Sequence, residues 1–440
     1  MSNKQKRLEK KKAKAKANVN VSHVARPKRI LWASVSCLLD TASGCAMSMR
    51  ELLLHLVKRG YQVSILTATV FDTQTGMQRV APYWDQIKEK IGSLVKFSDD
   101  KLIHHLVPTR SINRYQLNAL DEADFFKQYV SFLDTFKPDV VLTYGGYVLD
   151  FCMMDEAADR RIPTVAYLAN SQYQDTRWCR DIDLLLTNSQ ASAKMYEESQ
   201  GFKPIPIGVT INPEKVVAEQ HERKHVLFVN PSLPKGVTIS IGCALLLEKK
   251  RPDIKFEIVQ SRGDWDKIFQ LTMQALGLQR TSLDNIIVTP NTLDMRPIYG
   301  RARLTLMPTL CFENFGRVAV ESLLNGIPVI ASNRGGLPEV VQGGGIIVTF
   351  PSAAYEPPYN QAVKLETLVP LANFIEKCYD DEAFYNSYVE KAFNAGKAYA
   401  PDVTVDKFLG AIKHLLDLRV GDRDANAPRM HPHKQVPPKK

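Results

Sequence analysis

Short apolar runs alternate with helical patterns along most of this 440-residue chain, and the alternation limits its fold more than any other feature. In the first unit, Arg29–Val35 and Gln62–Thr67 have strand composition, and Met49, Leu52 and Leu56 recur between them at helical spacing. Further strands are predicted at Val140–Thr143, Thr164–Leu168, Leu184–Thr187, His225–Asn230, Lys255–Gln260, Ile286–Thr289, Leu304–Met307 and Pro328–Ser332. Strands that alternate with helices predict parallel sheets covered by helices on both faces.

The chain is too long for one ordinary domain and suits two. The stretch 203–224 begins with Pro and Gly and continues with charged residues, as linkers do. We therefore expect α/β domains at 29–207 and 208–385, followed by C-terminal helices at 386–419. The two ends, 1–28 and 420–440, are rich in charge or proline and are expected to be disordered.

Charge is concentrated at the two ends of the chain. The formal net charge is +10, but residues 1–28 carry ten Lys or Arg against one acid, and residues 420–440 carry five against two. The remainder, 29–419, is therefore close to −2. A nucleic-acid enzyme normally has a basic groove in its folded part, so this distribution disfavours nucleic acid as a substrate. Because no apolar run reaches the roughly 18–20 residues of a membrane span, we expect a soluble, cytoplasmic protein.

The basic segment 1–28 leaves three roles open: contact with an anionic membrane, contact with RNA, or none. It has no aromatic residue to stack on a base, which disfavours RNA. Anionic lipid headgroups attract such segments, so the expected partner is the inner face of a membrane, with peripheral contact.

No metal site is expected. The seven cysteines are scattered, with no C-x-x-C pair and no zinc spacing. Asp181-Ile182-Asp183 has the D-x-D form of some metal-dependent transferases, but it directly precedes an apolar run, and we expect Asp183 to begin a strand.

The most informative stretch is Met307–Val341, where a strand, a loop and a helix follow one another. The helix is expected to begin near Phe315-Gly316, and its free backbone N–H groups can hold an anion. Glu313 precedes the helix and Glu321 lies two turns into it, so the diphosphate and hydroxyls of a nucleotide-sugar suit this arrangement. The alternative is structural: Glu313 would cap the helix and Glu321 would lie on a solvated face.

These residues belong to a wider pattern that resembles the retaining GT-B glycosyltransferases of family 4. That signature is E-x7-E with F-G after the first Glu, then G-x-P-V and G-G-x-P-E. The corresponding residues here are Glu313 and Glu321, Phe315-Gly316, Gly326–Val329, and Gly335–Glu339. Lys235-Gly236 resembles the family's K-G pair, and Gly44 and Asp183–Ser189 are similar more loosely.

The resemblance implies two Rossmann-like parallel-sheet domains facing each other across a cleft, with C-terminal helices returning toward the N-domain. It implies that Glu313 approaches the donor sugar, that Glu321 binds the ribose, and that Lys235 neutralises donor phosphate. The expected catalytic residues are Glu313, Lys235 and Asn170. The expected donor-binding residues are Glu321, Phe315, Gly316, Arg317, Lys235, Gly236, Asn230 and Gly44.

Three positions depart from the family pattern. Asn230 stands where an Arg is usual, Asn170 where many members have a His, and Asn314 where Gly is usual. These departures bear on the identity of the donor and on part of the catalytic geometry.

The resulting hypothesis is a metal-independent retaining glycosyltransferase of the hexosyltransferase type, with no cofactor. Its expected partners are a nucleoside-diphosphate-sugar donor and a glycan or lipid-linked acceptor, in polysaccharide or glycoconjugate synthesis. Two alternatives stay open: a non-catalytic nucleotide-sugar-binding protein, and a nucleotide-sugar epimerase or phosphorylase of the same fold.

Overall fold

Two separate β-sheets with helices on their faces make up the protein in a computed structural model. The structure describes residues 26–174, 178–261 and 263–418. Almost all of the basic segment 1–28, and the whole of the predicted tail 420–440, lie outside these described residues. No described helix is long and apolar enough to cross a membrane.

The first domain contains an eight-stranded sheet with the strand order β3-β4-β2-β1-β5-β6-β7-β8. Its strands are β1 (Arg29–Ser36), β2 (Gln62–Val70), β3 (Val95–Asp99), β4 (Leu102–Val107), β5 (Val140–Thr143), β6 (Thr164–Leu168), β7 (Leu184–Thr187) and β8 (Ile205–Pro206). Its helices are α1 (Gly44–Lys58), α2 (Trp84–Lys88), α3 (Ala119–Phe136), α4 (Val148–Asp159) and α5 (Gln190–Gln200).

One pair of strands departs from the predicted parallel pattern. β3 pairs antiparallel with β4, with Phe97 opposite His104, and closes one edge of the sheet. The other described ladders of this sheet are parallel. The sheet is therefore doubly wound with one antiparallel edge strand, an arrangement common in large α/β sheets.

The second domain contains a six-stranded, all-parallel sheet with the order β11-β10-β9-β12-β13-β14. Its strands are β9 (His225–Val229), β10 (Phe256–Val259), β11 (Ile286–Thr289), β12 (Ala302–Met307), β13 (Val329–Ser332) and β14 (Gly345–Val348). The helices are α6 (Val237–Leu247), α7 (Trp265–Ala275), α8 (Arg296–Arg301), α9 (Arg317–Leu324), α10 (Leu337–Val341), α11 (Leu365–Asp380), α12 (Glu382–Gly396) and α13 (Pro401–Asp417).

The central strands are buried along their whole length, which explains their continuous apolar sequences. Every residue of β5, β6, β12 and β13 is buried. Helix α6 is buried nearly all round, between the sheet and α11, so it has no polar face in sequence. Strands covered on both faces need no alternation of polar and apolar residues.

The last helix returns to the first domain. Val405, Phe408 and Ile412 of α13 are buried in one cluster with Leu52 and Leu56 of α1. The predicted division at 385/386 falls inside α12, which runs from Glu382 to Gly396. Two Rossmann-like domains with a returning C-terminal helix confirm the predicted fold class.

In each sheet the order in which strands are added reverses next to the first strand of that sheet. The order places β1 beside β5 in the first sheet and β9 beside β12 in the second. Ligands of open α/β sheets bind in the crevice at the carboxyl ends of the strands at such a switch point. The loops that follow these four strands are therefore the expected place for a site.

Candidate functional site

A cleft of about 830 Å³ lies between the two domains at the carboxyl ends of both sheets. From the first domain it is lined by residues that follow β1, β5, β6 and β7, including Gly44 and Asn170. From the second domain it is lined by the loop after β12 and the start of α9, residues 313–317. The cleft therefore joins the two switch points.

Glu313 and Lys235 form an ion pair at the second of these switch points. Lys235 lies in the loop after β9 and Glu313 in the loop after β12, and their side chains are 32% and 14% exposed. Glu313 lines the cleft, and Lys235 reaches the cleft wall through this contact. The structure thus brings together the two residues predicted to act at the donor phosphate and sugar.

The glycine pair 335–336 holds the backbone of Glu313 in place. Gly335 has a φ of +55°, and a Cβ there would lie 2.0 Å from the carbonyl oxygen of Glu313. The backbone N–H of Gly336 donates to that same carbonyl oxygen at 2.7 Å. A side chain at Gly335 would displace Glu313, which gives a steric reason for the G-G motif.

Gly236 serves a similar close approach beside Lys235. It has a φ of +76°, and a Cβ there would lie 2.0 Å from the carbonyl oxygen of Pro308. The loop after β9 can therefore pack directly on the loop after β12. Gly236 was predicted to bind the donor, but it does not line the cleft. Its close approach to Pro308 instead holds the two loops together.

Helix α9 begins as predicted, with Gly316 as its N-cap and Arg317 as its first residue. Phe315 is only 6% exposed and packs edge-on against Tyr399, with 5.9 Å between ring centroids. The Phe315 side chain therefore fixes the start of the helix in the core, and residues 315–317 border the cleft.

Glu321 is buried, so the alternative of a solvated face is wrong. It is 5% exposed, its Oε2 accepts a 2.7 Å hydrogen bond from the Tyr299 hydroxyl, and its Oε1 lies 2.5 Å from Arg317 Nε. Burial, together with the Glu321 carboxylate, raises the pKa of Tyr299. Arg317 lines the cleft, and its Nη1 is buried with no hydrogen-bond partner among the described residues. Glu321 thus orients an arginine that keeps an unused donor.

The first-domain residues predicted for the site also face the cleft. Gly44 is the first residue of α1, and a Cβ built on it would meet nothing within 4 Å. The Oδ1 of Asn170 accepts a 3.0 Å hydrogen bond from the backbone N–H of Gln172, and its carbonyl accepts one from the Tyr196 hydroxyl. Asn170 is therefore held at the end of β6, where its side chain borders the cleft.

Asn230 lies away from the cleft lining. It follows β9 with a φ of +65°, and its N–H donates to the carbonyl of Val259 at 2.9 Å. Asn314 lies in the cleft wall and contacts the first domain, because Ser192 Oγ lies 3.1 Å from its backbone carbonyl oxygen and 3.3 Å from its side-chain Oδ1. The departure at Asn314 thus adds a contact between the domains.

The D-x-D sequence lies at the amino ends of the strands of the first sheet, away from the cleft. Asp183 directly precedes β7, and its Oδ2 accepts a 2.8 Å hydrogen bond from the backbone N–H of Thr164. The cleft is at the other end of β7, where Asn188 lines it. Across residues 26–174, 178–261 and 263–418, no group of three or more His, Cys, Asp or Glu could hold a metal ion.

Sequence reasoning missed two carboxylates of the site region. Glu339 accepts hydrogen bonds from the backbone N–H groups of Gln190 and Ala191, at 3.1 and 3.0 Å, so it binds the N-terminus of α5 in the other domain. Asp150, on α4, is 5% exposed and lines the cleft. The signal for Glu339 was its place in the G-G-x-P-E motif, whereas Asp150 had no motif at all.

Comparison with known proteins adds a family match over part of the chain. Residues 212–356 match the family described as glycosyl transferases group 1. The undecaprenol-pyrophosphoryl N-acetylglucosamine transferase of Caldanaerobacter subterraneus is 25% identical over 225 residues, which are 48% of this chain and 59% of that protein. The poly(glycerol-phosphate) alpha-glucosyltransferase of Bacillus subtilis is 22% identical over 224 residues, covering 51% of this chain and 31% of that protein.

Solved structures share the whole two-domain fold. HepE from Anabaena, determined with UDP and glucose, superposes with a TM-score of 0.62 at 15% identity, over 88% of this chain and 100% of that chain. A glycosyltransferase from Rickettsia africae superposes with a TM-score of 0.60 at 14% identity, over 90% of this chain and 100% of that chain. The family match is confined to residues 212–356, and the likeness to these solved structures shows a shared two-domain fold.

Proposed function

We propose that this protein is a retaining glycosyltransferase of family 4. It moves a hexosyl group from a nucleoside-diphosphate-sugar to a hydroxyl of a glycan or lipid-linked acceptor, in polysaccharide or glycoconjugate synthesis. The observation that carries the proposal is the Glu313–Lys235 ion pair on the cleft wall, where the two domains meet. The relatives named for transfer to an undecaprenol-linked sugar and to poly(glycerol-phosphate) are compatible with such acceptors.

The donor diphosphate would lie between Lys235, the first N–H groups of α9 and the unused Nη1 of Arg317. Both cations and the helix dipole would stabilise the charge that builds on the leaving diphosphate. In this arrangement Arg317 supplies the second positive charge in place of the arginine that Asn230 replaces. No metal ion is then needed for the leaving group.

The donor sugar would lie beside Glu313, whose carboxylate can accept hydroxyl hydrogen bonds once Lys235 turns to the phosphate. Glu321 would bind the ribose. Because both of its oxygens already have partners, a ribose hydroxyl would share or replace the contact with Arg317.

The acceptor would approach from the first domain, past Asn170 and Gly44, which line the other wall of the cleft. Its hydroxyl would attack the sugar on the face from which the diphosphate leaves, and the leaving phosphate would take the proton. The carbon–oxygen bond to the diphosphate breaks as the bond to the acceptor oxygen forms. Closure of both domains over the cleft would exclude water from the reacting carbon.

The test is a donor screen with purified protein. UDP-, GDP-, ADP- and dTDP-sugars are incubated with and without EDTA, and release of nucleoside diphosphate is measured, with Glu313→Gln as the control of reduced activity. We expect release from one donor class, undiminished by EDTA, and a product whose anomeric configuration, read by NMR, equals that of the donor. Nucleotide binding without turnover would instead identify a binding protein, and a 2-epimer without transfer would identify an epimerase. Loss with EDTA and recovery with Mn²⁺ would refute the metal-free mechanism.

We also infer that the basic segment brings the enzyme to anionic membranes, because ten Lys or Arg in residues 1–28 face only one acid. The matching deletion is 2–25. It stops there because Arg26 forms an ion pair with the buried Asp139 at 2.8 Å, and this contact should be kept. Deletion should lower cosedimentation with phosphatidylserine vesicles at low salt and leave turnover on a soluble acceptor unchanged. Equal vesicle binding with and without the segment would refute this role.

A further inference from the structure

A pocket in the first-domain wall of the cleft surrounds the two glycines that follow β5. Gly145 and Gly146 lie at the first switch point, beside the end of β1. A Cβ on Gly145 would lie 2.3 Å from Asp150 Oδ2, and one on Gly146 would lie 3.3 Å from the ring of Tyr173. The glycines therefore let Asp150, Tyr173 and Trp178 approach the backbone closely, and all of these line the cleft.

Asp150 is a buried carboxylate with one unused oxygen. Its Oδ2 accepts a 2.9 Å hydrogen bond from the backbone N–H of Tyr147, whereas its Oδ1 has no partner in the described part of the chain. Burial raises the pKa of Asp150 to about 6 against the opposing influence of that N–H and of Arg114. A buried carboxylate oxygen without a partner is unfavourable, so a ligand hydroxyl that donates to it would be bound favourably.

Two further polar atoms of the same wall are also unused. The indole Nε1 of Trp178 and the Oδ1 of Asn188 are buried without a partner among the described residues. These residues are 5% and 8% exposed. The rings of Trp178 and Tyr173 lie next to each other, with centroids 4.9 Å apart. The wall thus combines acceptors, a donor and largely buried aromatic rings that border the cleft.

We propose that this pocket binds the ring of a neutral carbohydrate acceptor, with Asp150 Oδ1 accepting from a hydroxyl and Trp178 Nε1 donating to a ring or hydroxyl oxygen. The proposal rests on the proposed function, because it names the acceptor class of that site. Sugar rings combine hydroxyls of both hydrogen-bond directions with apolar C–H faces, and those faces match aromatic rings.

A phosphate fits this pocket poorly. The Asp150 carboxylate would repel an anion, and the nearby Arg114 already contacts other side chains. Its Nη1 forms a 3.0 Å ion pair with Glu122, and its guanidinium lies 4.4 Å from the centre of the Tyr147 ring. Any phosphate of the acceptor would therefore lie outside this pocket.

Binding is tested without turnover by saturation-transfer NMR on the full chain. The probes are the methyl α-glycosides of glucose, galactose, mannose and N-acetylglucosamine, with glycerol phosphate as the anionic comparison. We expect at least one glycoside to bind wild type and glycerol phosphate not to bind. Asp150→Asn and Trp178→Phe should each raise the Kd of that glycoside about tenfold or more.

Two variants serve as matched controls. Asp121 occupies the same position of a capping box on α3, where it accepts from the N–H of Asn118, and it is absent from the cleft lining. Trp32 is a buried core tryptophan of β1 whose Nε1 also has no partner in the described chain. Asp121→Asn and Trp32→Phe should leave the Kd of the glycoside unchanged, even where they lower thermal stability.

The two proposals can fail separately. The pocket is supported if Asp150→Asn and Trp178→Phe lose glycoside binding while the two control variants keep it, even if the donor screen finds no turnover. The pocket is refuted if no glycoside binds wild type while the donor screen succeeds. It is also refuted if the control variants weaken binding as much as Asp150→Asn and Trp178→Phe do.

Discussion

Replacing Glu321 by alanine should destabilise the second domain, because the carboxylate is the partner of a fully buried hydroxyl. Tyr299 is 0% exposed and donates to Glu321 at 2.7 Å, so Glu321→Ala would leave its hydroxyl without a partner. An orphaned buried hydroxyl costs about 1–3 kcal/mol. Arg317 also loses its 2.5 Å contact, but at 20% exposure it can turn partly to water. We expect a loss of about 3 kcal/mol in the free energy of unfolding, within the range for breaking a buried pair.

The assay is urea unfolding of wild type, Glu321→Ala, Tyr299→Phe and the double variant. Tyr299→Phe alone should lose about 1.5–3 kcal/mol, the net contribution of a hydrogen bond to a charged group. In the double variant the orphaned hydroxyl is absent. It should therefore be no less stable than Glu321→Ala, with a coupling energy of about 1–3 kcal/mol. Calorimetry with UDP on the same four proteins separates the ribose contact from this structural one, since Glu321, and not Tyr299, is proposed to touch the nucleotide.

Additive effects of the two single substitutions would refute the buried-pair reasoning. So would a Glu321→Ala protein within about 0.5 kcal/mol of wild type, the usual range of a surface substitution. Equal UDP affinity in wild type and Glu321→Ala would leave the pair intact as a structural feature and remove the ribose role.

Three further outcomes are expected at other carboxylates. Glu313→Gln should lower turnover at least about tenfold and change UDP affinity, measured by calorimetry, less than about threefold, because the proposed function puts this side chain beside the sugar; an equal loss of affinity would contradict that placement. Glu339→Ala should lower the free energy of unfolding by about 1–2 kcal/mol, because two N–H groups at the start of α5 lose their acceptor, and Glu339→Gln should lose less; identical urea midpoints for all three proteins would show that the contact is not formed in solution. Burial raises the pKa of Asp150 from 3.8 to about 6, so the folded chain binds the proton more tightly and stability falls as pH rises between these values. Urea unfolding should show Asp150→Asn gaining about 2–3 kcal/mol over wild type from pH 3.5 to pH 7; a gap that does not change with pH would be the contrary result.

The interior strands were predictable because they are buried on both faces. Strands β5, β6 and β7 run over the residues predicted from sequence, since each is a short apolar run between polar segments. The edge strand β11 was also predicted correctly, because its sequence is apolar although Ile287 and Val288 are exposed. The edge hairpin of β3 and β4 was missed. In β3, Val95 and Phe97 are only half-buried and alternate with exposed Lys96 and Ser98, so no apolar run marks the strand.

The candidate site was predictable where the backbone imposes the residue type. Gly335, Gly236 and Gly316 occupy conformations or close approaches that glycine favours, and these recur as motifs. The pairing of Glu321 with Tyr299 was not predictable, because it depends on how α8 packs against α9. The same holds for Asp150, whose importance lies in an oxygen that has no partner among the described residues, a property that only the folded arrangement creates.

The Glu313–Lys235 ion pair also affects how fast ligands come and go. A lysine already neutralised by a carboxylate presents little field to solution, so donor association should gain little from electrostatic steering and depend only weakly on ionic strength. If the donor binds as proposed, its phosphate replaces the Glu313 carboxylate as the partner of Lys235. When the free nucleoside diphosphate remains after transfer, the tethered carboxylate competes with it for the same ammonium group at a high effective concentration. The resting ion pair would thereby speed product release, and with it the opening of the cleft for the next donor.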